Sequence, residues 1–364
     1  MPLRLGIIGA GHLGRFHAKI AATHSDIQLV AVADPVREAA ERVAAEANCQ
    51  AVTDYKTLLP EIDAAIIATP TCLHFGIGRE LLKRGIHCLI EKPLTPSVAE
   101  ADELVTLARR QGLVLQVGHI ERFSPGFTAI RDAAVGARLI QSTRCGVYSF
   151  RSTDIGVVFD LMVHDLDLAM RVANSGVQSV EAMGLTVFGP HEDLAHARLT
   201  FDNGCVAVLH ASRVSEVAER KMEVWTDTSR IRVNFADRSA TVGRTNPEIV
   251  RGQRTVQGLP AAEVQRLKEV VFEELIHLHR TESPANNPLA EEQRDFLEAI
   301  REGRDPQVTG EHGRDVVAVA ERILARIAAQ QPGAIDTASE PQILRGPHWT
   351  PAVTKPEQER RKSA

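Results

Sequence analysis

The chain has 364 residues, 44% hydrophobic and 24% charged, with a formal net charge of -5. That length implies two domains and that balance an ordinary soluble globular enzyme. The negative net charge gives no footprint for nucleic acid or an anionic membrane, and 4% aromatic residues leave little for base-stacking platforms.

In chain order, "LRLGIIG" reads as a strand and Gly14 to Thr23 as a helix; "QLVAVAD" is a second strand, followed by the helical "REAAERVAAEA". "AAIIAT" and "HCLIEKP" continue the strands, with "HFGIGRELLKRG" and "SVAEADELVTLARRQ" as helices and "LVLQVGH" as a further strand. Apolar strands alternating with amphipathic helices predict βαβ units and a parallel sheet covered on both faces. The pattern changes near residue 123. Beyond Asn174, "VEAMGLTVFG", "AHARLTF", "CVAVLHASRV", "RKMEVWT" and "SRIRVNF" alternate with period two, and "DNG" at Asp202 to Gly204 is a hairpin turn. The expected fold is α/β: a Rossmann dinucleotide-binding domain over 1–122, then an α/β substrate and oligomerisation domain over 123–330 with a large open, mostly antiparallel sheet. One helix, "VVFDLMVHDLDLAMRVA", would dock on that sheet. The late amphipathic helices "LAEEQRDFLEAIREG" and "GRDVVAVAERILARIAAQ" are placed near the domain junction, and the Pro-rich, charged residues 331–364 read as a flexible tail.

Cys49, Cys72, Cys88, Cys145 and Cys205 are scattered, odd in number and never spaced C-x-x-C, which argues against a disulfide framework or zinc cluster and for a reducing cytoplasm. No signal pattern precedes "LRLGIIGAG", and no apolar run is long enough to insert into a membrane.

"GIIGAGHLGRFHA" supplies Gly9, Gly11 and Gly14 in the order G-x-G-x-x-G, after a strand and opening a helix. In that context the turn Gly9, Gly11, His12, Leu13 and Gly14 is the candidate cradle for a dinucleotide pyrophosphate, aided by the helix N-terminus. Asp34, at the end of the second strand, is suited to adenosine ribose hydroxyls and repels a 2′-phosphate, which favours NAD over NADP; the alternative is a turn-forming Asp before Pro35. Thr69, Pro70 and His74 of "ATPTCLH", with Glu91, lie at later strand ends where ligands of such sheets sit.

In the "VFDLMVHDLDLAM" helix, Asp160, His164 and Asp167 fall at i, i+4 and i+7, on one face, among otherwise apolar residues. A metal could use Asp160 and His164, but no matching motif offers a third ligand, so none is expected. A salt-bridged structural face is the other alternative. Asp165 falls off the face and reads as solvated or capping.

Taken in order, "GIIGAGHLG", "ATPTCLH", "EKPL" (Glu91 to Leu94), "VGHIERF" and "DLMVHDLD" resemble the Gfo/Idh/MocA oxidoreductases over about residues 3 to 330. The resemblance implies a Rossmann domain followed by an open-sheet α/β domain whose outer face often makes homodimer or homotetramer contacts. It implies Lys92 between nicotinamide and substrate, a strained peptide before Pro93, and His164 of the D-x-x-x-H motif as general acid/base, with Asp160. The chemistry agrees: an imidazole with an unperturbed pKa of ~6.5 can take a hydroxyl proton near neutrality, and a lysine can stabilise alkoxide character.

The segment "FRSTDIGVVFDLMVHDLD" with "VGHIERFSP" resembles the branch containing the UDP-N-acetylglucosamine 3-dehydrogenases, which oxidise a sugar 3-hydroxyl ahead of a PLP aminotransferase, in some bacteria toward lipid A. The small-molecule substrate expected is therefore a UDP-sugar. Arg122, Arg144, Arg151 and Arg213 are candidates for its diphosphate, with Arg122 and Arg151 preferred because each lies beside a motif; the alternative is that several of them make surface or inter-strand salt bridges. Tyr148 is a candidate for the sugar or uracil, and equally for sheet packing. Two alternatives stand beside this: a dehydrogenase of a free sugar, inositol or related polyol, and a non-catalytic dinucleotide sensor, which would have no need of Lys92, Asp160 and His164.

Overall fold

The computed structural model describes residues 2–150, 154–281 and 286–330. Its first part alternates β1 (Leu3–Ile8), α1 (His12–Ala21), β2 (Ile27–Ala33), α2 (Arg37–Ala47), β3 (Gln50–Val52), β4 (Ala64–Ile67), α3 (Thr71–Lys83), β5 (His87–Glu91), α4 (Val98–Gln111) and β6 (Leu115–Gly118). The strands form one six-stranded, wholly parallel sheet in the order β3-β2-β1-β4-β5-β6. Strands β4 and β6 are buried along their whole length, as continuous apolar runs require when helices cover both faces. Local signals set the helix ends. The Ser97 hydroxyl accepts from the Glu100 amide at the start of α4, and Gly112 ends it in the left-handed region at φ 65°.

The second part comprises α5 (Pro125–Ile130), β7 (Leu139–Cys145), α6 (Val163–Ala173), β8 (Val177–Leu185), β9 (Leu194–Phe201), β10 (Val206–Ser212), β11 (Glu219–Trp225), β12 (Ser229–Asn234), β13 (Ser239–Thr245), α7 (Pro247–Val250), α8 (Ala261–Glu269) and β14 (Ile276–Thr281). Its eight strands run β14-β13-β12-β11-β7-β10-β9-β8, antiparallel except for the β7–β10 pair. Gly204, at φ 83°, closes the predicted β9–β10 hairpin. Alternation leaves one face of this sheet buried, and α6 lies on it against β7 and β10. The predicted helix is not regular: Val158–Met162 form a π-helical turn before α6 begins. Such turns commonly occur at functional sites.

The chain then returns to the first sheet. α9 (Pro288–Glu302) packs beside α1, and Phe296 and Leu297 join Leu5, Ile7, Val32, Ile66 and Leu89 in one core cluster. α10 (Gly310–Gln330) spans both sheets. A Cβ at Gly313 would stand 2.5 Å from Val117 on β6, and Ile327 lies against Gly184 on β8. The Arg322 guanidinium donates to the Val177 carbonyl at 2.8 Å. Among the described residues no helix is long and apolar enough to cross a membrane. Arg151 and the predicted tail over 331–364 lie outside the described residues.

Candidate active site

The first half of the site is the β1–α1 turn, at the point where strand order reverses between β1 and β4. Gly9 adopts φ 102°, and a Cβ there would come within 2.5 Å of the Ala68 carbonyl. A Cβ at Gly14 would overlap the Gly9 carbonyl, whereas the space beside Gly11 is open. Gly11 caps α1 without a side-chain hydrogen bond, and His12 and Leu13 are exposed in the first turn. The Asp34 carboxylate accepts the Ala10 amide at 2.8 Å and the Val36 amide at 2.9 Å, which sets it beside the glycine turn. Across the turn the Thr69 hydroxyl is buried without a partner, and Pro70 is exposed. A backbone cradle with no Cβ, open helix amides, a carboxylate for ribose hydroxyls and an unsatisfied hydroxyl together fit a dinucleotide.

Two residues assigned to this groove turn away from it. His74 is buried, and its ring nitrogens lie 2.9 Å from the carbonyls of Pro93 and Thr69, so it ties two strand-end loops together. Burial lowers its pKa, which keeps the ring neutral with one N–H to donate. Glu91 is also buried and points back into the first domain's interior, where its Oε1 is 2.8 Å from His17 Nε2. Glu91 ends β5 as the sequence suggests and His74 sits in the first turn of α3; the direction of their side chains was not legible.

Lys92 follows β5, its peptide to Pro93 is cis, and its Nζ donates to the Asp160 carbonyl at 2.6 Å, with the Asp160 carboxylate 3.6 Å away. This contact joins the edge of the parallel sheet to the π turn of the second. Burial lowers the ammonium's pKa, and Asp160 and Glu91 oppose that shift. The turn is held from below by Glu192, whose carboxylate accepts the Val158 amide at 3.0 Å. Gly156 allows this, since a Cβ there would overlap that carboxylate. One turn on, His164 has a buried, unpartnered Nδ1. Burial, with the positive charges of Lys92, Arg144 and Arg220, pushes its pKa well below the ordinary value. His119, one residue past β6, is buried with neither ring nitrogen partnered. Because Glu91 pairs with Gly118 across β5–β6, Lys92 and His119 leave their strands side by side. Buried polar atoms are normally satisfied, so these orphan nitrogens mark where a ligand is expected.

The arginines are mostly spoken for. Arg122 donates through Nε and Nη2 to Asp167, both at 2.7 Å, with 7% and 1% of the two side chains exposed. Burial disfavours the Asp167 carboxylate, but its interactions with His119 and with the Arg122 guanidinium outweigh it and hold its pKa below the usual range. Arg144 is clamped by Asp165 at 2.9 Å and Glu121 at 3.0 Å, and Ser142 donates to Asp165 as well. The expectation of a solvated or capping Asp165 is therefore corrected: the side chain is buried and binds β7 to α6. Arg213 bonds Asp193 at 2.7 Å and the Ile155 carbonyl at 2.8 Å. Arg122, Arg144 and Arg213 are thus buried structural pairs rather than open phosphate forks. Tyr148 is partly exposed, 5.5 Å beneath the Arg213 guanidinium and edge-on to Phe150 and Phe188. Sequence reasoning passed over His119 and Arg220. Arg220 shares the inner-face parity of Met222 and Val224, pairs in register with Arg144, and has no ion pair among the described residues.

The model of the oxidoreductase family with an NAD-binding Rossmann fold matches residues 3–119, and that of the GFO/IDH/MocA C-terminal domain matches residues 143–232. The UDP-N-acetylglucosamine 3-dehydrogenase of Acidithiobacillus ferrooxidans is 38% identical over 328 residues, 90% of this chain and 98% of that one. The chain belongs to the Gfo/Idh/MocA family. It is accordingly an NAD-dependent oxidoreductase. A solved structure of the same Acidithiobacillus enzyme superposes with a TM-score of 0.78 at 34% identity, covering 90% of this chain and 99% of that one. The inositol 2-dehydrogenase of Rhizobium meliloti is a more distant family relative, 25% identical over 91% of this chain and 98% of its own.

Removing one partner of a buried pair strands the other charge, at a cost of about 3–5 kcal/mol. Arg122→Met is expected to lower stability by that amount in chemical denaturation, because Asp167 is left alone. Wild-type stability with only a raised KM would make Arg122 a ligand contact instead.

Proposed function

We propose that this Gfo/Idh/MocA enzyme oxidises the 3-hydroxyl of UDP-N-acetylglucosamine to the 3-keto sugar. The observation that carries the reading is the Lys92–Asp160 contact, which sets an ammonium and the His164 helix together at the carboxyl edge of the parallel sheet. The substrate follows from the near full-length likeness to an enzyme of that name. The Gly9–Gly14 turn and the amides of α1 would hold the cofactor's pyrophosphate, and Asp34 its adenosine ribose hydroxyls. NAD, when bound, accepts the hydride from the sugar carbon. Lys92 donates a hydrogen bond to the reacting oxygen and stabilises the charge that develops there. His164, kept neutral by its surroundings, takes the hydroxyl proton on a ring nitrogen. Asp160 holds Lys92 and reaches a neighbouring hydroxyl. Of the arginines, Arg220 is best suited to the diphosphate, since the others face carboxylates or lie outside the described residues.

The 3-ketone is suited to a following PLP aminotransferase. The five cysteines are free, consistent with a cytoplasmic setting. The outer face of the eight-stranded sheet, with Met183 and the stacked His196 and His210 rings, supports a homodimer or homotetramer.

The pH dependence has a definite sign. As pH falls through the depressed pKa of His164, the imidazole gains a proton and the base is lost. The acid limb of kcat/KM is expected below the ordinary histidine value of ~6.5, and His164→Asn should remove it. An acid limb that survives in His164→Asn means another base. The function is tested by mixing protein, NAD and UDP-N-acetylglucosamine with an aminotransferase and glutamate to drain the ketone. NADH absorbance is expected to rise; no rise there, with turnover of inositol or a free sugar, would replace the substrate assigned.

A further inference from the structure

Behind the Lys92 strand lies a sealed polar cluster that the proposed reaction does not use. His17 on α1, Glu91 on β5 and Glu292 on α9 each present an N or O atom, all within 4.8 Å of one another, and all three residues are buried. The state of His17 follows from its neighbours. The Gln293 amide nitrogen is 2.8 Å from His17 Nδ1 and 3.1 Å from the His17 carbonyl, so it donates to both. Nδ1 is then an acceptor, and the ring proton sits on Nε2, which donates to Glu91.

Glu292 is different. It is 0% exposed, and neither of its carboxylate oxygens has a partner. Its nearest charges are Glu91 and, on its own helix, Asp295, which is taken up by Arg304 at 3.0 Å. Gln116 on β6 donates to the Glu292 backbone carbonyl, not to the carboxylate. Lys92, the lysine beside Glu91, is committed to Asp160. A bare carboxylate in this place is out of reach of bulk solvent and meets no paired counter-charge among the described residues. Burial and the Glu91 charge accordingly raise the Glu292 pKa well above the ordinary range. A metal ion would be the other way to neutralise the cluster, but the nitrogen that would ligate it, Nε2 of His17, already carries a proton bonded to Glu91. The remaining orphan atoms nearby are amide oxygens of Gln116 and Gln293, which suit a transition metal poorly.

We propose that Glu292 is a positioning residue acting through Glu91: as a neutral carboxylic acid it donates a hydrogen bond to the Glu91 carboxylate, which His17 holds from another side, so that one fixed negative charge, not two, stands behind Lys92. Glu91 also meets the Lys92 backbone amide, at 3.3 Å, so the clamp sets the backbone from which the ammonium extends. The inference rests on Lys92 as the group that faces the reacting oxygen.

Two measurements test it. Infrared spectra of the protein without substrate should show the carbonyl stretch of a protonated carboxylic acid that persists to mildly alkaline pH and disappears in Glu292→Gln. This arm needs no turnover, so it stands whatever the substrate proves to be. In the pH profile of kcat/KM, Glu91→Gln should move the alkaline limb to lower pH by about one unit or more, because it removes the charge that favours the Lys92 ammonium. Glu292→Gln should leave that limb in place. Absence of the infrared band, a limb that moves to lower pH in Glu292→Gln, or a stoichiometric divalent metal in the purified protein would each overturn the proposal.

Discussion

A lysine ammonium drawn out of water needs a partner close at hand, and here that partner comes from a different sheet. Lys92 leaves the parallel sheet and finds the Asp160 carbonyl on the π turn that rests on the second. An unpaired ammonium in that cleft would cost several kcal/mol. The contact is therefore useful only if the two sheets are held in register, and much of the remaining polar structure serves that end. Glu192 caps the turn, Arg122–Asp167 ties the end of β6 to α6, and Arg144–Asp165 ties β7 to the same helix. α10 bridges β6 and β8 from outside.

These pairs also divide the site's charges by purpose. Arginines that meet buried carboxylates are neutralised and fixed in place. Several of the polar atoms left over, those on His119, His164 and Thr69, belong to the segments that carry the candidate site. Buried orphan atoms are costly in a finished protein and reasonable in one awaiting a ligand. The low pKa of His164 comes first from burial, and the positive charges of Lys92 and Arg144, which hold the helix, add to it.

Much of the fold was legible in the sequence because strand and helix periods report burial directly. Apolar runs gave β1, β4 and β5, alternation gave β8 to β11, and the glycine spacing at Gly9, Gly11 and Gly14 located the turn. The position of Lys92, Asp160 and His164 on motifs was equally plain. Periodicity says which residues face inward but not what they meet. Hence Arg122 beside "ERF" read as a phosphate contact although Asp167 waits for it 45 residues later, and Asp165 read as solvated although β7 supplies Arg144. Glu91 was placed at the right strand end, while His74 lies in the first turn of α3; what the Glu91 side chain meets was not legible, because its partner, on α1, comes from far upstream. Nothing in "RKMEVW" connects Arg220, an exposed residue, with Arg144 until the sheet order sets β11 beside β7. Likewise, the return of α9 to the first sheet, which buries Glu292, has no local signature.

The central claim is a hydride leaving one sugar carbon at the Lys92–His164 cleft. The most direct measurement uses UDP-N-acetylglucosamine carrying deuterium at C3, with NAD, and follows where the label goes. Deuterium recovered in the reduced nicotinamide, with label at C3 alone and none transferred from Lys92→Ala, is the predicted result. Unlabelled reduced nicotinamide formed from the C3-deuterated sugar, or transfer that continues at the wild-type rate without Lys92, would contradict it.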